Sequence, residues 1–160
     1  MRNLNYKEWF FIILALCWIS GVVYFILNYF IEIQGEFGLE KHPIQYPVLK
    51  IHGAVSFVIM IIFGYFLSAH VKKNLYSKNK RGLKSGMVLL SLPFICIITA
   101  YALYYLSSDF YRQISCYLHS FVGFILPFSL VLHILQLTKA RRRKDIKHKL
   151  KISFKFFINF

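Results

Sequence analysis

Residues Val48 to Val71 read VLKIHGAVSFVIMIIFGYFLSAHV, and the fold turns on this stretch. A bilayer core needs about 20 consecutive apolar residues of helix. This run is long enough and carries a single charge, Lys50. Three further runs match it: Trp9 to Phe30, about Gly86 to Leu106 with Pro93 inside, and about Ile114 to Leu137 with Pro127 inside. Proline is tolerated within a membrane helix when neighbours satisfy the freed carbonyl, so both prolines predict kinks rather than ends. The expected fold is all-α: an integral membrane four-helix bundle over residues 1–138, followed by a basic tail over 139–160. The first run follows Arg2 and Lys7, as a signal peptide would. It is too long for an h-region and no small-x-small cleavage site follows, so it reads as an uncleaved helix.

Composition agrees with that expectation. Apolar residues make up 58% of the 160, and only 16% are charged, against roughly a quarter in soluble domains. The charges are segregated into short stretches between the apolar runs. A net charge of +14 would suggest nucleic acid in a soluble protein. Here it marks the cytoplasmic side of a membrane and its anionic lipid, and nucleic-acid binding is set aside. Seventeen Lys and Arg fall in the N-terminal tail, the 72–84 loop and the C-terminal tail, against three (Lys41, Lys50 and Arg112) in the other two loops. Both termini are therefore expected in the cytoplasm. Helices two and four then run the same way, from outside to inside. Residues 31–47, with Pro43, Pro47, Gly35 and Gly38, read as an external loop. The tail segment from Arg141 to Phe160 places Ile146, Leu150, Phe154 and Phe157 on one helical face but also alternates like a strand, so its conformation stays open.

Four of the six histidines lie on helices two and four. Ionisable groups at membrane depth are costly and usually face the bundle interior for a reason. His52 and His70 are 18 residues apart, five whole turns, and share a face. His119 and His133 are 14 apart, about 40° short of four turns. With the two helices parallel, His52 meets His119 near the outside, and His70 meets His133 near the inside. A lone membrane histidine is more often a hydrogen-bonded core residue than a ligand. Four on matching faces at paired depths point to haem, whose iron takes axial histidines from opposite sides. Zinc or copper rarely takes only two ligands, and no cysteine or carboxylate adjoins either pair. Gly53 beside His52, and Gly123 one turn after His119, would let a porphyrin approach the backbone. Lys50 and Arg112 outside, and Lys72, Lys73, Arg81 and Lys139 inside, are candidates to pair with propionates. Cys17, Cys96 and Cys116 have no finger or redox spacing and read as buried thiols.

These residues resemble a family. Two parallel helices bearing two histidines each are similar to the dihaem four-helix core of respiratory cytochrome b. Small bacterial four-helix membrane proteins share His42-Pro43, the LKIHG at Leu49 to Gly53, the ALYYL at Ala102 to Leu106, and the LHxxxGxxxPxxxxxH from Leu118 to His133. The resemblance implies two haem b groups, each held by two histidines, and carries the ligand role to His52, His70, His119 and His133 alone. The 18-residue gap on helix two departs from the cytochrome pattern, which is nearer the 14 of helix four, and leaves His70–His133 the less secure pair. The implied protein is a multi-pass cytochrome of a bacterial inner membrane that moves electrons across it, to or from a quinone or a redox protein. A quinone-linked oxidoreductase, an anchor subunit of a larger redox complex and a haem-free transporter or structural protein are the rivals. Oligomerisation is left open.

Overall fold

The computed structural model describes the backbone of residues 6–36, 38–72, 76 and 82–158, and, of these, all side chains but those at 6, 7, 70, 147–149 and 151–158. Four helices dominate: α1 (Tyr6–Tyr29), α2 (Gln45–Phe66), α3 (Leu83–Tyr105) and α4 (Asp109–Ile158). All four contain segments long and apolar enough to cross a membrane. In hydrocarbon, helix is the only way for a single segment to satisfy its own backbone, and these helices are apolar on every face. α3 and α4 run through Pro93 and Pro127 without ending, as the proline reading expects. Pro47 lies in the first turn of α2, where a missing N–H costs nothing.

Two features differ from the sequence expectation. The 31–47 loop contains a β-hairpin, β1 (Glu32–Gly35) against β2 (Gly38–Lys41), with Glu32 opposite Lys41. Lys41 Nζ donates to Glu32 Oε1 at 3.0 Å and to the α1 carbonyl of Asn28 at 2.9 Å. One side chain thus closes the hairpin and ties it to the end of α1. His42 sits at the hairpin exit. Its Nδ1 accepts the Ile44 N–H at 3.2 Å and its carbonyl accepts the Gln45 N–H at 2.9 Å, which sets the start of α2. The second difference is α4, a single helix of 50 residues that passes without a break from the apolar segment into the basic tail. At 1.5 Å per residue it is about 75 Å long, more than twice a bilayer core.

Neighbouring contacts give the topology. α1 packs on α2 and α3 packs on α4, each as an antiparallel hairpin, and α1 also meets α4. Trp18 lies against Phe124 and Phe128, and Tyr29 stacks on Tyr117 at 6.1 Å, so α1 and α4 are antiparallel as well. Phe10 against Phe66 fixes α1 to α2, and Phe63 against Phe94 brings α2 to α3. It follows that α2 and α4 are parallel. Between the two hairpins runs a cavity of about 1700 Å³, lined by all four helices. It extends from Tyr29 and Tyr117 at the hairpin end to Arg141 and Lys144 at the basic end. That is larger than the roughly 300–1,000 Å³ of an ordinary small-molecule site.

Candidate cofactor site

Three described histidines line this cavity, and each meets a hydroxyl from an adjacent helix, joined for His52 and His119 by a backbone carbonyl. His52 of α2 places Nδ1 3.0 Å from the Cys17 carbonyl and 3.2 Å from Ser20 Oγ, both on α1. His119 of α4 places Nδ1 3.1 Å from the Cys96 carbonyl and 3.0 Å from Thr99 Oγ1, both on α3. His133 of α4 places Nδ1 2.9 Å from Ser85 Oγ near the start of α3. In each case a hydroxyl sits three residues after the carbonyl it donates to: Ser20 to Cys17 at 2.9 Å, Thr99 to Cys96 at 3.1 Å, Ser85 to Gly82 at 3.2 Å. Ser20 and Thr99 are two of the three buried polar residues among those described, 9% and 5% exposed. Buried hydroxyls are kept only when their hydrogen bonds are met, and these are met on both sides.

The network selects the tautomer. A carbonyl oxygen only accepts, so Nδ1 of His52 and of His119 carries the proton. Nε2 of His52 and of His119 is left with its lone pair. An N–H held by a carbonyl or hydroxyl behind the ring is the outer support that metal-binding histidines commonly have.

The rings of His52 and His119 face each other with centroids 6.3 Å apart and planes at 88°. An axial nitrogen lies about 2 Å from its metal and the ring centroid roughly 1 Å further back, so two trans imidazoles on one iron have centroids about 6 Å apart. The separation fits. So do the flanks: a Cβ on Gly53 or Gly123 would meet nothing within 4 Å, and both residues line the cavity. Gly21 shows the reverse case. A Cβ there would stand 2.9 Å from His52 Cε1, so only glycine lets the ring lie this close to α1.

The second pair is described on one side. His133 is in place at the basic end of the cavity. The backbone of His70 lies in a π turn, Leu67–Val71, that continues α2, and its side chain is outside the described residues. His52 and His119 being level, the unequal spacings put the His70 backbone about 6 Å further along the bundle than His133. The wider π turn takes up part of that excess.

The cationic candidates sort differently from expectation. Arg112 pairs with Asp109 at 3.6 Å, Lys50 lies over the Tyr46 ring, and neither they nor Lys72 line the cavity. Lys73 and Arg81 are outside the described residues. Arg141 and Lys144, which sequence reasoning left in the tail, line its basic end. Ser20, Ser85 and Thr99 were missed too. Their signal is local: each hydroxyl residue is followed by a small one, Gly21, Gly86 or Ala100. Among the described residues no three His, Cys, Asp or Glu side chains gather as a metal site. Comparison with protein-family models, curated proteins and solved structures finds no match to this chain.

Proposed function

We propose that the chain is a membrane dihaem b-type cytochrome that moves electrons between the two faces of a bacterial inner membrane. The observation that carries this is the His52–His119 pair: two imidazoles from parallel helices, Nδ1 tied behind each, 6.3 Å apart in a cavity large enough for a macrocycle. A bound haem would supply one-electron redox chemistry at a potential its axial ligands help to set. The chain does the rest. His52 and His119 would hold the group near the hairpin end. His133, bonded to Ser85, and His70 would hold the one near the basic end. Gly53 and Gly123 leave flat approaches to the backbone beside the first pair. The apolar helix faces exclude water, and Arg141 and Lys144 offer positive charge for carboxylates at the basic end. Under the positive-inside rule that end, with both termini, is cytoplasmic. A quinone or a redox protein would exchange electrons at either mouth, and quinol oxidation by the purified protein would mark an enzyme rather than a carrier.

The test is the full chain, expressed with ample haem supply and purified in detergent. Oxidised and dithionite-reduced spectra with a haem-to-protein ratio should give two b-type haems per chain. Replacing His52 or His119 should remove one and leave the other's spectrum in place. A chain that takes up no haem overturns the proposal.

A further inference from the structure

The same clamp appears on α1 and α3, and it fixes more than which nitrogen is free. Nδ1 of His52 meets two acceptors at once, the Cys17 carbonyl and Ser20 Oγ. Nδ1 of His119 likewise meets the Cys96 carbonyl and Thr99 Oγ1. One hydrogen bond leaves a ring able to swing about the bond axis. Two acceptors on one rigid helix, three residues apart, define a plane. The hydroxyls are themselves pinned. Ser20 Oγ donates to Cys17 O at 2.9 Å, and Thr99 Oγ1 lies 2.7 Å from Ile95 O and 3.1 Å from Cys96 O. Gly21, on the same helix, leaves no room for the ring to move closer to α1. The outcome is two rings at 88° to one another.

We infer that Ser20 and Thr99 are positioning residues that lock the His52 and His119 ring planes nearly perpendicular, and so set the electronic state of the iron those rings would share. This rests on the haem proposal above. Perpendicular axial planes leave two iron d orbitals close in energy, because neither in-plane direction is favoured. Parallel planes split them. A low-spin ferric centre reports the difference as the size of its largest g value.

The experiment uses the full chain in detergent, wild type beside Ser20→Ala, Thr99→Ala, the double variant, and the conservative Ser20→Thr and Thr99→Ser. In the haem-loaded protein the wild type should give a strongly anisotropic EPR signal. Each alanine variant should keep its haem while its largest g value falls and its midpoint potential shifts, the double variant the most. The conservative variants should restore the wild-type signal. Alanine variants that load haem with unchanged g values and potential overturn the inference. A second arm needs no haem. Histidine ¹⁵N NMR of the metal-free wild type should show His52 and His119 as Nδ1–H tautomers; the alanine variants keep the carbonyl acceptor and should keep that tautomer, with the Nδ1 resonance shifted by loss of the hydroxyl. A wild type with its proton on Nε2 overturns the clamp. If the wild type binds no haem, the cytochrome proposal fails, and the NMR arm still decides the clamp.

Discussion

Replacing Gly21 by alanine tests the site through one methyl group. A Cβ there would stand 2.9 Å from His52 Cε1, 3.2 Å from Nδ1 and 3.8 Å from Nε2. Carbon atoms sit comfortably at about 3.5–4.0 Å, so the ring must recede from α1 by roughly 0.6–1 Å. Its hydrogen-bond partners, the Cys17 carbonyl and Ser20 Oγ at 3.0 and 3.2 Å, are on α1 as well. Recession carries Nδ1 beyond the length at which those bonds hold. Overpacking of this kind costs about 1–3 kcal/mol, and the lost bond about 0.5–1.5 kcal/mol more. The better helix propensity of alanine returns about 1 kcal/mol. The net is about 0.5–3.5 kcal/mol, roughly a 2- to 400-fold loss of affinity for a group that needs His52 in its present place. Haem titration into the purified full chain, followed by absorbance, reads this directly, and circular dichroism checks that helix content is kept. Gly64→Ala is the control, because its Cβ would meet nothing and Gly64 does not line the cavity. A Gly21→Ala chain that binds haem as the wild type does, with the His52 Nδ1 resonance unmoved, refutes the reasoning.

Three further outcomes follow from the same geometry. Gly53→Leu or Gly123→Leu should leave the thermal melting of the metal-free protein unchanged or slightly raised, since each side chain enters open space. Either should also sharply lower haem occupancy; full occupancy would show that these approaches are not used. Arg141→Gln with Lys144→Gln should weaken retention of one haem, the one nearer His133, and the difference from wild type should shrink as salt rises. Loss spread equally over both haems would count against that placement. Gly82→Ala should lower the melting temperature of the metal-free protein. Gly82 has φ +71°, costing about 1–2 kcal/mol for an L side chain, and its new Cβ would fall 2.5 Å from Leu137 Cδ2.

Much of the fold is legible in the chain because a long apolar helix is a local property. The four apolar runs, their proline-bearing interiors and the basic segments between them predict the helices to within a few residues of Tyr6–Tyr29, Gln45–Phe66 and Leu83–Tyr105. The extent of α4 was harder. Its basic half mixes helical and alternating patterns, and only the continuous backbone hydrogen bonds of Asp109–Ile158 make it one helix. The hairpin at 32–41 was hidden for another reason. Glu32 and Lys41 are unremarkable loop residues until the register sets them opposite each other.

The sequence by itself determined the four long apolar helices, the charge asymmetry and the restriction of the helix-borne histidines to α2 and α4. All of these follow from residue type and from repeat along one segment. Three antiparallel hairpin-type connections also made α2 and α4 parallel, so the level of His52 with His119 could be expected from counting. What the tertiary structure decided is which way each imidazole turns and what holds it. Helices that are apolar on every side carry no stripe that says which face is inward. The partners of His52, His119 and His133 lie 32, 20 and 48 residues away in the chain. A serine or threonine in an apolar run most often bonds its own helix, as Ser91 does with Val88. That Ser20, Thr99 and Ser85 also reach a neighbour's imidazole is a fact of packing, visible only once the hairpins are closed.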